Sequence, residues 1–198
     1  RPTAEKVVSF SVLTPEEVRR AKAMEGTPYP DPPRHPRSVH WKIDRPLPKS
    51  PILKGWEFDG NSLDEWTASQ FEKIMVQKGV FSATVTGSDP QLIVDNVGVK
   101  IEDVSCIGLR LRISTGVSAC EVFWSTVAKP DLSARKAFHF PLKDDDGEWH
   151  TYLVSKDVEG AWRGMLKLLR FDFGAPGDRI DVDWIRLYGL PPSGAKAQ

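Results

Sequence analysis

Near the end of the chain, the segment RIDVDWIRLYG (179–189) sets two carboxylates, Asp181 and Asp183, inside a run that alternates as a β-strand does. Unbroken alternation puts Ile180, Val182, Trp184 and Arg186 on one side and Asp181, Asp183, Ile185 and Leu187 on the other. Burying an acid beside an apolar stripe costs several kcal/mol unless a cation or hydrogen bonds offset it. Three chemistries suit such a position: an acid at an exposed strand end, a catalytic carboxylate or a metal ligand. Hydrolysis of a glycosidic bond needs two carboxylates facing each other across a groove. Glu121, Glu148, Asp172 and Asp181 are available, but no Glu-x-Asp-x-x-Glu spacing occurs, and acids on strands are usually solvated. The histidines, His35, His40, His139 and His150, form no His-x-His or His-x3-His pair. His139 and His150 fall on what read as adjacent strands, and hydrogen-bonded strand histidines account for them. No nucleophile elbow and no glycine-rich phosphate loop is present. The acidic run KDDDGE at 143–148 lacks the distant glutamate of a helix–loop–helix calcium site and reads as a hairpin turn.

The aromatic residues carry more information. There are seven tryptophans. Phe123 and Trp124 are consecutive in ACEVFWSTV, so they point to opposite faces of one strand, and one of them must leave the core or be covered. An exposed indole offers a flat surface to the C–H groups of a sugar ring, and charged side chains hold the hydroxyls. Trp124 with Arg110, Arg112, Glu121 and Arg170 is therefore the candidate ligand-binding set. The competing arrangement is that the N-terminal segment, through Trp41, lies over that face. Trp66, Trp149, Trp162 and Trp184 are expected in the core.

These side chains must be placed by a chain of 198 residues, enough for one domain with a real core and an appendage. Its 27 basic and 27 acidic residues cancel, which argues against a nucleic-acid or anionic-membrane partner. No apolar run approaches the ~20 residues that span a bilayer. The first residue is Arg1, as in a processed chain or a fragment. Cys106 and Cys120 are too few for a disulfide scaffold or a zinc site. A hairpin turning at 114–117 would set Cys106 opposite a residue near 125, so two buried thiols are expected.

Residues 1–54 are rich in proline and predict an extended, irregular extension containing one short helix. That helix lies in LTPEEVRRAKAMEG, with Thr14 as N-cap, Pro15 at the first position and Gly26 as the stop. The extension reads as a strap on the main domain or a linker from a preceding one. From 55 to 191 the texture changes to short alternating runs: GVFSATVTG, QLIVDN, IGLRLRIS, ACEVFWSTV, KAFHFPL, WHTYLVS, LLRFDF and RIDVDWIRLYG. No interval is long enough for crossover helices, so the prediction is an all-β antiparallel sandwich, with 192–198 as a tail. AWRGMLKLL reads as one turn running into a strand.

In order, WEFDGNSLDEWTAS, GSDPQLIV, IGLRLRIS, EVFWSTV, FHFPLKDDDGEWHTYLV, AWRGMLKLLRFDFG and IDVDWIRLYG resemble the galactose-binding-like jelly rolls that serve as carbohydrate-binding modules of bacterial glycan-degrading proteins. The resemblance covers roughly residues 55–190 and implies a jelly-roll β-sandwich. In several such modules an acid opening the first strand and an aspartate in the last hold one structural calcium ion. Here those positions match Asp59 in Phe58-Asp59-Gly60 and Asp183, and Asp89 or Asn61 with backbone carbonyls would complete the shell of six to eight oxygens. The alternative is that Asp183 caps a strand end or pairs with Arg170. The resemblance further implies a non-catalytic domain binding a glycan by stacking plus polar contacts, in a secreted or cell-surface setting, with other domains of a larger chain as possible neighbours. If Arg110 and Arg112 line the site, acidic or sulfated glycans fit, because guanidinium matches such groups bidentately. Two rival readings remain open: a protein–protein assembly domain, and a jelly-roll glycoside hydrolase or lyase.

Overall fold

A computed structural model describes residues 39–63, 65–114, 119–133, 136–143, 147–156 and 163–191. The helix expected at 14–26, most of the proline-rich extension, Trp162 and Asp144, Asp145 and Asp146 of the KDDDGE turn lie outside them. The chain divides into two units, Arg1–Pro36 and Arg37–Gln198, and the described residues all belong to the second.

Its strands are β1 (Val39–Ile43), β2 (Ile52–Trp56), β3 (Trp66–Ser69), β4 (Phe71–Gln77), β5 (Val80–Val85), β6 (Gln91–Val94), β7 (Val99–Lys100), β8 (Val104–Ile113), β9 (Ala119–Thr126), β10 (Ala137–Pro141), β11 (His150–Lys156), β12 (Met165–Phe173) and β13 (Arg179–Gly189). They form an antiparallel sandwich. A seven-stranded sheet runs β1-β11-β8-β13-β5-β4, with β2 also on β13; a six-stranded sheet runs β10-β9-β12-β6-β3, with β7 also on β12. All eight runs expected from alternation are strands, and AWRGMLKLL ends in β12 as expected. The remaining five were not legible. β1 and β2 sit among prolines, and β4 carries a break in register between Glu72 and Met75 with Lys73 at φ +52°. The sandwich therefore begins before residue 55: Val39–Ile43 pairs with β11, and Ile52–Trp56 with β13.

Two expected neighbourhoods are corrected by the topology. β8 and β9 belong to different sheets, so no hairpin turns at 114–117. Cys106 and Cys120 are separate buried free thiols, each pushed up in pKa chiefly by burial. β10 and β11 also belong to different sheets, so His139 and His150 are not on adjacent strands. His139 Nδ1 meets Glu121 at 3.0 Å, while His150 Nδ1 meets Asp44 at 2.8 Å.

The core lies between the sheets. Leu109, Leu111 and Ile113 of β8 point inward, and Arg110 and Arg112 outward, as the alternation requires. Phe81, Leu92, Trp66, Trp124, Phe171, Ile180 and Ile185 fill the interior. The puzzle of β13 resolves here. Val182 pairs with Leu111 but Trp184 with Arg110, so Asp183 is an extra residue, a β-bulge. One inserted residue reverses the phase of everything after it. Ile180 and Val182 point inward before the bulge, Ile185 and Leu187 after it. The acids therefore share the outer face with Trp184 and Arg186, not a face with the apolar stripe.

On that outer face Gly108 lies beneath aromatic rings. A Cβ there would come 2.7 Å from Tyr188 Cε2, 3.2 Å from Trp184 Cζ3 and 3.3 Å from Leu153 Cδ2. Gly108→Ala should force these rings apart and cost about 1–3 kcal/mol. Urea unfolding checks this as a lower midpoint with an unchanged slope.

Candidate outer-face binding site

The five residues proposed for ligand binding do not form one site. Trp124 is 2% exposed and belongs to the core. The signal was present in ACEVFW: Cys120 and Val122 share Trp124's phase and face inward, while Phe123 shares the phase of polar Glu121. Phe123 is the outward member, and the Arg170 guanidinium lies 5.0 Å from its ring centre. Arg170 and Glu121 stand on the outer face of the six-stranded sheet, Arg110 and Arg112 on that of the seven-stranded sheet.

On the six-stranded sheet the polar groups satisfy one another. Arg170 donates Nε to Asp172 Oδ1 (2.7 Å) and Nη2 to both Asp172 Oδ2 and Asp89 Oδ1 (2.5 Å each). Burial raises the Asp172 carboxyl, with Asp89 and Glu121 adding repulsion against Arg170's attraction; the same pairing raises Arg170. A fork already closed on carboxylates has little left for a ligand.

The seven-stranded sheet differs. Trp149, expected in the core, immediately precedes β11 and lies outside the core cluster, with the Arg110 and Arg112 guanidiniums 5.2 and 4.8 Å from its ring centre. No clean alternation in EWHTYLV marks it as outward. Trp184 is buried as expected, 6% exposed, but on the outer face and not in the inter-sheet cluster; it stacks on Arg186 at 4.3 Å, and Arg186 forks onto Glu57 at 2.7 and 2.6 Å, tying the segment after β2 to β13. Across the strands the register aligns Arg112, Asp181 and Ser82 in one row. Asp181, 3% exposed, accepts Arg112 Nε at 2.8 Å, Ser82 Oγ–H at 2.5 Å and Arg179 Nε at 3.3 Å. Burial alone would raise its carboxyl; the hydroxyl and the two guanidiniums outweigh this and hold it low. Asp183 pairs with Arg110, not with Arg170. A cavity of about 200 Å³ opens at the end of this row, lined by Arg112, Ile113, Ser114, Gly147, Arg179 and Asp181.

The residues suggested for calcium do not fit that ion together. β2 and β13 are neighbours, which brings Asp59 toward the Asp183 end of β13, but Asp183 is taken by Arg110. Asp59 Oδ1 lies by Gly79 at the β4–β5 turn, and Asn61 is exposed in the loop after β2. Asp89 is at the opposite end of that hairpin, bonded to Gln91 and Arg170. Among the described residues no group of three or more His, Cys, Asp or Glu is placed to hold a metal ion.

No family model and no curated protein sequence matches the chain. Among solved structures it is similar to the second N-terminal cellulose-binding domain of Cellulomonas fimi β-1,4-glucanase C, at 16% identity over 72% of this chain and 97% of that one, TM-score 0.49. A low-affinity xylan-binding module of family 86 from Roseburia intestinalis is similar at 7% identity over 69% and 95%, TM-score 0.46. A variant of a family 29 carbohydrate-binding module is similar at 11% identity over 82% and 99%, TM-score 0.45. The likeness is one of sandwich shape, and none of their residues is carried over.

The network around Asp181 sets a pH dependence. Its carboxyl is lowered on folding, so its stabilisation is complete above the ordinary aspartate value and fades as pH falls through the lower folded value. Asp181→Asn should cost about 1–3 kcal/mol at pH 7, below the roughly 3–5 of a fully buried pair because both arginines are substantially exposed. The gap between parent and variant should narrow below about pH 4 in denaturant titrations across pH.

Proposed function

We propose that this sandwich is a non-catalytic glycan-binding domain whose platform is Trp149 on the outer face of the seven-stranded sheet. The observation that carries the reading is the position of that indole. It lies outside the core, beside the guanidiniums of Arg110 and Arg112, and next in the chain but one to Gly147, which lines the cavity. A large ring on a rigid strand end, with polar groups converging beside it, is the arrangement that sugar recognition needs: area for stacking and hydrogen bonds to fix orientation. The acids do not favour hydrolysis. Asp172 is forked to Arg170, and Asp181 and Asp183 are ion-paired to arginines, so none stands ready to exchange a proton.

The test is titration calorimetry against a panel of neutral and acidic oligosaccharides. Trp149→Ala should weaken the best ligand at least tenfold, about 1.4 kcal/mol, while far-UV circular dichroism stays unchanged. Equal affinity in the variant, or no glycan bound by the parent, overturns the reading. Trp124→Ala is the contrasting variant: as a core truncation it should lower stability by about 3–5 kcal/mol, visible as a lower denaturant midpoint.

A further inference from the structure

The arginines of this domain fall into two kinds. Arg186 and Arg170 close their forks on carboxylates with two nitrogens each. Arg112 and Arg179 each reach Asp181 through Nε alone, and their terminal Nη groups take no hydrogen-bond partner among the described residues. Both line the cavity of about 200 Å³. Ser114, also in the lining, accepts the Arg179 backbone N–H at its Oγ, so its own proton is available for donation. Asp181, the one acid among the described lining residues, has both oxygens engaged, by Arg112 on one and by Ser82 and Arg179 on the other. The described polar side chains of the wall therefore have free donors and no free carboxylate oxygen. Among them, two guanidiniums stand against one carboxylate.

From this we infer that the cavity holds the oxyanion of an acidic sugar residue, a uronate carboxylate or a sulfate ester, beside a ring stacked on Trp149. The inference rests on the glycan-binding reading and adds the class of glycan. A neutral sugar brings hydroxyls that must both donate and accept, and here it finds little that accepts. A carboxylate or sulfate brings only acceptors, and paired N–H groups match its geometry. Asp181 acts as a positioning residue: it fixes both guanidiniums by their Nε atoms and turns their outer edges toward the cavity. Its burial keeps it in place, and its hydrogen bonds keep it charged.

The experiment uses the full chain and three matched probes: an oligogalacturonate, a sulfated galacto-oligosaccharide, and the desulfated form of the latter. Calorimetry is run at low and at physiological salt. Arg179→Ala is the main variant, since Arg179 is 58% exposed in its side chain and its truncation leaves the core untouched. The expected result is that at least one acidic probe binds tenfold or more tighter than the neutral one, with the excess shrinking as salt rises. Which acidic probe gains tells carboxylate from sulfate. Arg179→Ala should bring that probe down to the neutral level while weakening the neutral probe far less, and Arg179→Lys should restore only part of the excess, because an ammonium cannot fork. Equal binding of acidic and neutral probes, or equal weakening of both by Arg179→Ala, overturns the inference. If Trp149→Ala still abolishes neutral binding in that case, the glycan reading stands without it; if no probe binds the parent, both fall.

Discussion

One extra residue in β13 governs how this sandwich reconciles its acids with its core. A strand of period two can serve only one buried face, and a one-residue slip exchanges the faces completely. The bulge at Asp183 makes that exchange in mid-strand, against the consecutive residues Leu111 and Arg110 of β8. Before it, Ile180 and Val182 meet the interior; after it, Ile185 and Leu187 do. Without the bulge, keeping one pair inside would leave the other in solvent and force either Arg186 or the two carboxylates inward, at a cost of several kcal/mol for the charge alone. β13 lies centrally in its sheet, bonded to β8, β5 and β2, so a wrong phase there would propagate through three neighbours.

The outer face that results is electrostatically ordered. Arg110 and Arg112 on β8 stand opposite the acids of β13, and each also lies by Trp149. These contacts contribute little individually to stability, since exposed ion pairs are typically worth less than about 1 kcal/mol. Their effect is geometric. A fixed carboxylate orients each arginine, Asp181 through Nε of Arg112 and Asp183 through Nη1 of Arg110, and a tryptophan against both guanidiniums has a defined orientation outside the core cluster. Order on an exposed surface lowers the entropic cost of binding, which is the advantage of building a site on strands and not on loops. The opposite sheet uses the same residue types to another end: Arg170, Asp172 and Asp89 consume one another's hydrogen bonds.

Many of the charged side chains on these faces hold one another, and the thiols of Cys106 and Cys120 are buried and raised by desolvation. In the proposed reading, recognition comes from a surface with a set shape and free donors at its edge.

Much of this was legible from residues alone. Alternation in GLRLRIS or KAFHFPL fixes which side chains face inward, because period two is a local property of the backbone and apolar burial selects the face. Even the inward course of Trp124 follows from Cys120 and Val122 beside it. Three things were not local. β1 and β2 lie among prolines, and only pairing with β11 and β13 makes them strands. The bulge at Asp183 shows itself only against a partner strand, since an inserted residue has no meaning without a register to interrupt. Trp149 meets Arg110 and Arg112 only because tertiary pairing sets β11 beside β8 and brings both guanidiniums to its ring. Local pattern along the chain was enough for most strands and their inner faces. The assignment of strands to sheets settled which charges meet, because electrostatic contacts depend on distance in space and not on separation along the chain.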